Sequence, residues 1–392
     1  MNILFVADVG AEKVIGGAER VLHAFATRCR LRGHHVNVLS LACDSLEDGA
    51  APRLPQPRLF GVVKSARRIL RSFRETCRSN PPHLINFHQP LSAFIVLLCP
   101  EARSIPKVYA FLSSAPQEYA TRLRKATSEG APFSLWHILN IAARRWLEAY
   151  SLGRSDCILV MSEFSRKVRL DVHGPTSTPV ALLPGGVDTA RFKPPRDRFQ
   201  LREEIAPGCS HLLFTVRNLV PRMGLENLIR SMVRIVSNHP DVLLVIGGEG
   251  PLKTELTDLA RRLGMEKRIR FEGFIPEESL PSYYQASDIF VLPTLMLEGF
   301  GLVAVEALAC GTPVVGAPVG GIVEVLGDLD ERLICEGSEP HHISSRIIYF
   351  LDHPEELAGI RERCRDYVLE RYDWDLIVER LEGIFARMIA SA

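Results

Sequence analysis

Short apolar runs alternate with helix-length segments twice along this chain, and that alternation narrows the fold more than any other feature. In the first half, residues 3–7 read as a strand. A Gly16-Gly17 loop then opens a helix that sets Val21, Leu22, Phe25 and Ala26 on one face, and Gly33 ends it before a second strand at 36–39. The second half starts again after Phe192-Lys193-Pro194-Pro195, with a strand at 212–216, a helix at 225–236 and further strands at 242–246, 269–271, 289–292 and 313–316. Repeated units of this kind predict parallel, doubly wound sheets. The expected class is α/β, with two Rossmann-like domains at 1–190 and 191–372. A last helix, 373–392, carries Leu376, Ile377, Leu381, Ile384 and Phe385 at helical spacing.

A length of 392 residues, 46% hydrophobic and 24% charged, suits about two to three folded domains. The longest fully apolar run, 93–99, is far too short to span a bilayer. The opening segment meets Asp8 without a basic leader, so it reads as a strand and a cytosolic location is expected. Nine cysteines, Cys43 among them, form no C-x-x-C pair and make an odd count, so neither a zinc cluster nor a disulfide framework is expected. Residues 1–190 carry 24 basic and 15 acidic side chains, whereas residues 191–392 carry 23 and 31. That split supports two domains and suggests that the first meets something anionic.

Residues 297–315 carry the most chemistry. Glu298 and Glu306 stand eight positions apart, joined through Gly299 and Gly301 into an apolar helix that ends at Cys310-Gly311. Glycines let backbone N–H groups approach a ligand closely, and a helix entrance favours an anion. A diphosphate on the Phe300, Gly301 and Leu302 amides fits both conditions. Glu306 sits inside an apolar run where an unpartnered carboxylate is costly, and a ligand hydroxyl is the economical partner. Arg217 follows a strand, where a guanidinium can fork across phosphate oxygens.

With these residues in view, the chain resembles the retaining glycosyltransferases of family four, which have the GT-B fold of two Rossmann-like domains facing across a cleft. Glu298 and Glu306 match that family's E-x7-E element, and Cys310-Gly311-Thr312-Pro313-Val314-Val315 matches its CGTPVV-like turn. Gly16-Gly17-Ala18-Glu19-Arg20 resembles its GGAER loop, and Pro184-Gly185-Gly186-Val187-Asp188 its NGVD turn, with Gly185 where Asn is usual. The segment from Val216 to Leu225 resembles its phosphate-binding segment, and Phe271-Glu272-Gly273-Phe274-Ile275 one of its later strands.

The resemblance implies a metal-independent, retaining transfer of a sugar from a nucleotide-sugar donor to a carbohydrate, lipid-linked or small-molecule acceptor. It implies no cofactor, and a final helix that crosses back to the first domain. Glu298 would hold the donor hexose, Glu306 the ribose, and Arg217 the diphosphate. Gly16, Gly17, Arg222 and Gly273 would serve the donor as well.

Two departures stand out. Met223 occupies the place of the family's Lys, with Arg222 beside it as a substitute, and Leu112 stands where a His is expected near the transferred sugar. His88, at another strand end, then becomes an acceptor-side candidate together with Ser113 and Glu118. These departures keep a second reading open, a catalytically silent protein that binds a nucleotide sugar or a partner. An epimerase of the same fold is a third.

Other features point elsewhere only weakly. Asp328-Leu329-Asp330 and Asp373-Trp374-Asp375 lie in an acidic loop and at a helix start, where Asp is a routine cap, so no metal site is expected. Gly247-Gly248-Glu249-Gly250 has the wrong spacing for a dinucleotide fingerprint, and no nucleic-acid motif occurs. Residues 62–77 form a basic amphipathic helix, read as packed on its domain with a solvated face. Peripheral contact with anionic lipid at the inner membrane face is the alternative.

Overall fold

A computed structural model describes residues 1–9, 16–41, 59–128 and 134–391; Cys43 lies outside them. The chain divides into two compact units, Met1–Pro184 with Trp374–Ala392, and Gly185–Asp373. In the first unit, strands β1 (Asn2–Ala7), β2 (His35–Ser40), β3 (Leu84–Phe87), β4 (Lys107–Phe111), β5 (Cys157–Val160) and β6 (Val180–Leu182) form one parallel sheet in the order β2-β1-β3-β4-β5-β6. Helices α1 (Gly17–Leu31), α2 (Leu59–Ser79), α3 (Pro90–Leu97), α4 (Ala115–Ser128), α5 (Leu135–Gly153) and α6 (Glu163–His173) lie between them in sequence. Every residue of β1, β3, β4 and β5 is buried, which explains why these strands read as unbroken apolar runs and not as alternating ones.

In the second unit, β7 (His211–Val216), β8 (Val242–Gly247), β9 (Ile269–Gly273), β10 (Ile289–Leu292) and β11 (Val314–Gly316) form a parallel sheet in the order β11-β10-β7-β8-β9. Its helices are α7 (Arg198–Ile205), α8 (Leu225–Asn238), α9 (Lys253–Arg262), α10 (Leu280–Ala286), α11 (Leu302–Ala309), α12 (Ile322–Gly327), α13 (Pro340–Asp352) and α14 (Pro354–Arg371). An aromatic cluster of Phe214, Tyr284 and Phe290 fills the core, with ring centroids 5.1–5.6 Å apart. Strand order reverses beside β7, because the chain steps outward to β8 and β9 and then returns to place β10 on the opposite side. Such a reversal leaves the loops at the carboxyl ends of β7 and β10 diverging, and ligands of open α/β sheets bind there.

The last helix, α15 (Trp374–Ala390), belongs to the first unit. It buries Trp374, Ile377, Val378, Leu381, Ile384 and Phe385 against α1 and β3, while Leu376 is only half-buried. Trp374 meets Phe25 edge-on at 5.8 Å, Phe385 lies 6.5 Å from Phe5, and Glu382 accepts from Arg32 at 2.9 Å and from His34 at 2.8 Å.

This packing decides the state of His88. Its ring lies 5.7 Å from Phe5 and 6.0 Å from Phe25, its Nε2 donates to Asn86 Oδ1 at 2.8 Å, and its Nδ1 is buried without a partner among the described residues. A protonated ring would bury an unpaired N–H, so burial lowers the His88 pKa from 6.5 to about 3. The folded value lies below the unfolded one, so this group's contribution is complete above pH 6.5 and is lost as pH falls toward 3. Below pH 6.5 the first unit should lose up to ~1.4 kcal/mol per pH unit from this residue. Melting curves at several pH values check it: a non-titrating His88→Met variant should show a shallower decline than the parent, and equal declines would contradict the assignment.

Candidate functional site

At the reversal point of the second sheet, Arg217 leaves β7 and Thr294 leaves β10. Arg217 donates through Nη2 to Thr294 Oγ1 at 2.9 Å and to Glu298 Oε2, and Thr294 Oγ1 lies 3.4 Å from the same carboxylate oxygen. Both charged side chains are largely buried, at 6% exposure for Arg217 and 14% for Glu298. The pairing offsets a desolvation penalty that either group alone would carry. Only Nη2 of this guanidinium has hydrogen-bond partners among the described residues, and the buried Nε has none.

The loop that delivers Glu298 is held from two sides. Arg222 Nη1 donates to the Leu297 carbonyl at 3.1 Å, and the Leu295 N–H donates to the Arg222 carbonyl at 2.8 Å. On the other side the Gly321 N–H donates to the Glu298 carbonyl at 2.9 Å. Gly320, at φ +69°, approaches so closely that a Cβ there would lie 2.0 Å from that carbonyl oxygen. Leu297 has φ 57°, the only non-glycine residue of positive φ among those described. Left-handed backbone costs a Leu about 1–2 kcal/mol, and it persists where surrounding contacts over-determine it.

Beyond Glu298 the chain enters α11 through Gly301, whose φ of +91° is the turn that an L side chain resists. The Phe300, Gly301 and Leu302 N–H groups have no acceptor among the described residues, and the helix dipole adds positive potential at the same end. A Cβ on Gly301 would lie 4.0 Å from Glu298 Cγ, so the amide cluster and the Arg217–Glu298 pair are neighbours. Phe300 is anchored edge-on against Tyr372 at 5.5 Å.

Glu306, one turn further along α11, is buried at 5% exposure, and its Oε2 accepts from Tyr284 Oη at 2.9 Å. A ligand is therefore not required to account for this carboxylate's burial, because the fold supplies a partner 22 residues away. The signal available in the sequence was only the general tendency of a buried tyrosine hydroxyl to find an acceptor. Burial, reinforced by the Glu306 charge, pushes the neighbouring Cys310 thiol well above its usual range and leaves it protonated.

Other candidates fall into place individually. Met223 is buried on the short turn Pro221–Met223, and the side chain that reaches the Glu298 loop from this segment is Arg222. Gly273 ends β9 at φ +74°, and its carbonyl accepts from the Gly248 N–H at 2.6 Å. In the first unit, Gly16 precedes and Gly17 begins α1, with the Arg20 N–H donating to the Gly16 carbonyl at 3.1 Å. Ser113 is exposed in the loop after β4, and Glu118 lies half-buried in the first turn of α4. His88, by contrast, is enclosed by Phe5 and Phe25 and is not a surface group at its strand end.

A buried pair that local sequence did not reveal supports the β4–α4 loop. Glu148 accepts from the Ala115 N–H at 3.0 Å through Oε1 and from His173 Nε2 at 2.7 Å through Oε2. The aspartates of the two D-x-D triplets are tied to other groups: Asp330 to Arg332 and Arg363, Asp328 to Arg371, Asp373 to Thr189 and Asp375 to Arg28. The Asp330 carboxyl is held below the usual carboxylate range chiefly by its hydrogen bond from Arg332.

Comparison with known proteins bears on the family and the fold. Residues 15–191 match the family model described as Glycosyltransferase Family 4, and residues 197–368 match that of Glycosyl transferases group 1. One relative, a GDP-mannose-dependent alpha-(1-6)-phosphatidylinositol monomannoside mannosyltransferase of Mycolicibacterium smegmatis, is 32% identical over 227 residues, which is 56% of this chain and 59% of the relative. A second, D-inositol 3-phosphate glycosyltransferase 2 of Catenulispora acidiphila, is 33% identical over 58% of this chain and 54% of its own length. The matches thus span little more than half the length of these relatives. Among solved structures, sucrose-phosphate synthase from Thermosynechococcus elongatus superimposes with a TM-score of 0.81 at 21% identity, covering all of both chains. Anabaena HepE in complex with UDP and glucose gives 0.76 at 20% identity over 99% of this chain and all of the other. These two likenesses bear on the fold. With its two parallel-sheet domains and a family match on each, the chain belongs to the family 4, group 1 glycosyltransferases of GT-B fold.

Proposed function

We propose that this protein is a retaining, metal-independent glycosyltransferase that takes a hexose from a nucleoside diphosphate sugar. One observation carries the reading: a buried guanidinium bonded only through Nη2, a carboxylate paired with it and three amides with no acceptor among the described residues stand together where the second sheet reverses. Amides and a cation at one point suit a diphosphate, and they stabilise it most when charge builds on it as the sugar departs. Glu298 orients Arg217 and accepts from hexose hydroxyls. Glu306, its carboxylate aligned by Tyr284, accepts from the ribose. Arg222 supplies a second positive charge in place of the lysine absent at Met223.

In the transfer itself, the bond between the anomeric carbon and the phosphate oxygen breaks. The acceptor oxygen bonds to that carbon on the same face, and the acceptor's proton passes to the departing phosphate. No side chain is assigned as a nucleophile. Asp328, Asp330 and Asp375 are paired with arginines and Asp373 with the Thr189 hydroxyl, which supports the metal-independent reading. The named substrates of the relatives make GDP-mannose the first donor to try, with an inositol- or lipid-linked hydroxyl as acceptor. We place the reaction in the cytoplasm, with acceptor recognition assigned to the first unit through Ser113 and Glu118. The second reading, a silent nucleotide-sugar binder, draws on the buried Met223 and on Leu112.

Release of nucleoside diphosphate from a panel of donors, with and without acceptors, decides between the two. Slow turnover is expected; tight donor binding with complete silence favours the second reading. Arg217→Gln should lower kcat by about 10²–10³, as loss of one charge-stabilising donor does elsewhere, while circular dichroism confirms a folded chain. Unchanged kcat would remove Arg217 from the site. Tyr284→Phe should raise the donor KM several-fold with kcat nearly intact, because it loosens a binding carboxylate and not the charge-stabilising groups. Activity should survive EDTA, and its abolition with recovery on adding a divalent cation would refute metal independence.

A further inference from the structure

We infer that the first unit docks on an anionic lipid surface through the exposed faces of α5 and α2. The inference concerns this unit's surface and does not rest on the donor reading. On α5, Leu135, Leu139 and Trp146 recur at helical spacing and form a stripe, flanked by Trp136 and Ile138. Such a stripe normally faces a core. Here it faces solvent: Leu135 is 71% exposed, Trp136 67%, and the other three are at least half exposed. Trp146 is fixed at one end of the stripe by Phe94 at 5.3 Å and Tyr150 at 5.6 Å, so the stripe continues outward from a rigid aromatic anchor.

Helix α3 packs against both α5 and α2, which places the two outer helices on either side of it. Helix α2 turns Ile69 and Phe73 inward and exposes Lys64, Arg67, Arg71, Arg74 and Arg78, again at helical spacing. Arg145 adds an exposed cation on α5. Apolar side chains with tryptophans beside basic ones are the two requirements for residence at a bilayer interface, the first entering the acyl boundary and the second meeting acidic headgroups. A second copy of the chain is a poorer occupant, because a symmetric contact would set the basic helix near its own image. A free polyanion would match the cations and leave the apolar stripe in water. Among the described residues no helix is long and apolar enough to cross a membrane.

Tryptophan placement makes the test direct. Of the three tryptophans, Trp146 lies on the stripe and Trp136 flanks it, while Trp374, at the start of α15, is buried against Phe25 of α1. The full chain should sediment with vesicles of phosphatidylcholine containing about 30% phosphatidylglycerol and much less with phosphatidylcholine alone. Its fluorescence should shift to the blue and be quenched by brominated acyl chains. The triple substitution Leu135→Gln, Trp136→Gln, Leu139→Gln removes side chains that are largely in water and spares the anchored Trp146. It should weaken binding at least about tenfold and abolish the quenching. Arg67→Glu with Arg71→Glu should erase the preference for acidic vesicles. The inference is overturned if the parent ignores acidic vesicles, or if the α5 variant binds them equally well. It is overturned too if the α5 substitutions instead disperse a concentration-dependent dimer.

Discussion

Arg217 and Glu298 can be buried at the ends of β7 and β10 only because they face each other. Removing one partner from such a pair typically costs about 3–5 kcal/mol, since the survivor is left charged and unsolvated. The requirement fixes the loop after β10, and with it the direction in which the chain enters α11. A salt bridge serving stability alone would use more of the guanidinium. Here Nη2 carries both bonds, and the buried Nε carries none among the described residues.

Backbone features around the pair serve the same geometry. Gly301 makes the left-handed turn into the helix, and Gly320 lets a neighbouring segment close on the Glu298 carbonyl. Leu297 holds a positive φ without being glycine, secured by Arg222. Strain of this kind is kept where several contacts agree on one conformation. The consequence is a carboxylate and an amide cluster set in place before any ligand arrives, which lowers the ordering cost of binding.

Much of the fold could be read from residue order because parallel strands buried on both faces write themselves as short apolar runs between turn residues. The strands at β7, β8, β10 and β11 are of this kind. Arg217 and Glu298 were each identifiable by position, one after a strand and one before a glycine turn. Their pairing was not, since 81 residues separate them and only the reversal of strand order makes β7 and β10 neighbours. Tyr284 escaped notice for a similar reason: its hydroxyl meets Glu306 through the packing of α10 on α11. His88 misled in the opposite direction. A strand end suggests solvent, but Phe25 and Phe5 enclose this one beneath a helix supplied by the far end of the chain. The stripe on α5 shows a further limit, because the period of apolar residues marks a face without saying what covers it.

The most direct measurement is a crystal structure with a nucleoside diphosphate bound. On this account the phosphate oxygens accept from the Phe300, Gly301 and Leu302 amides and from Arg217, with Glu298 still paired to the same guanidinium. A diphosphate bound elsewhere, or a Glu298 loop that turns the carboxylate away from Arg217 once the ligand is present, would contradict it.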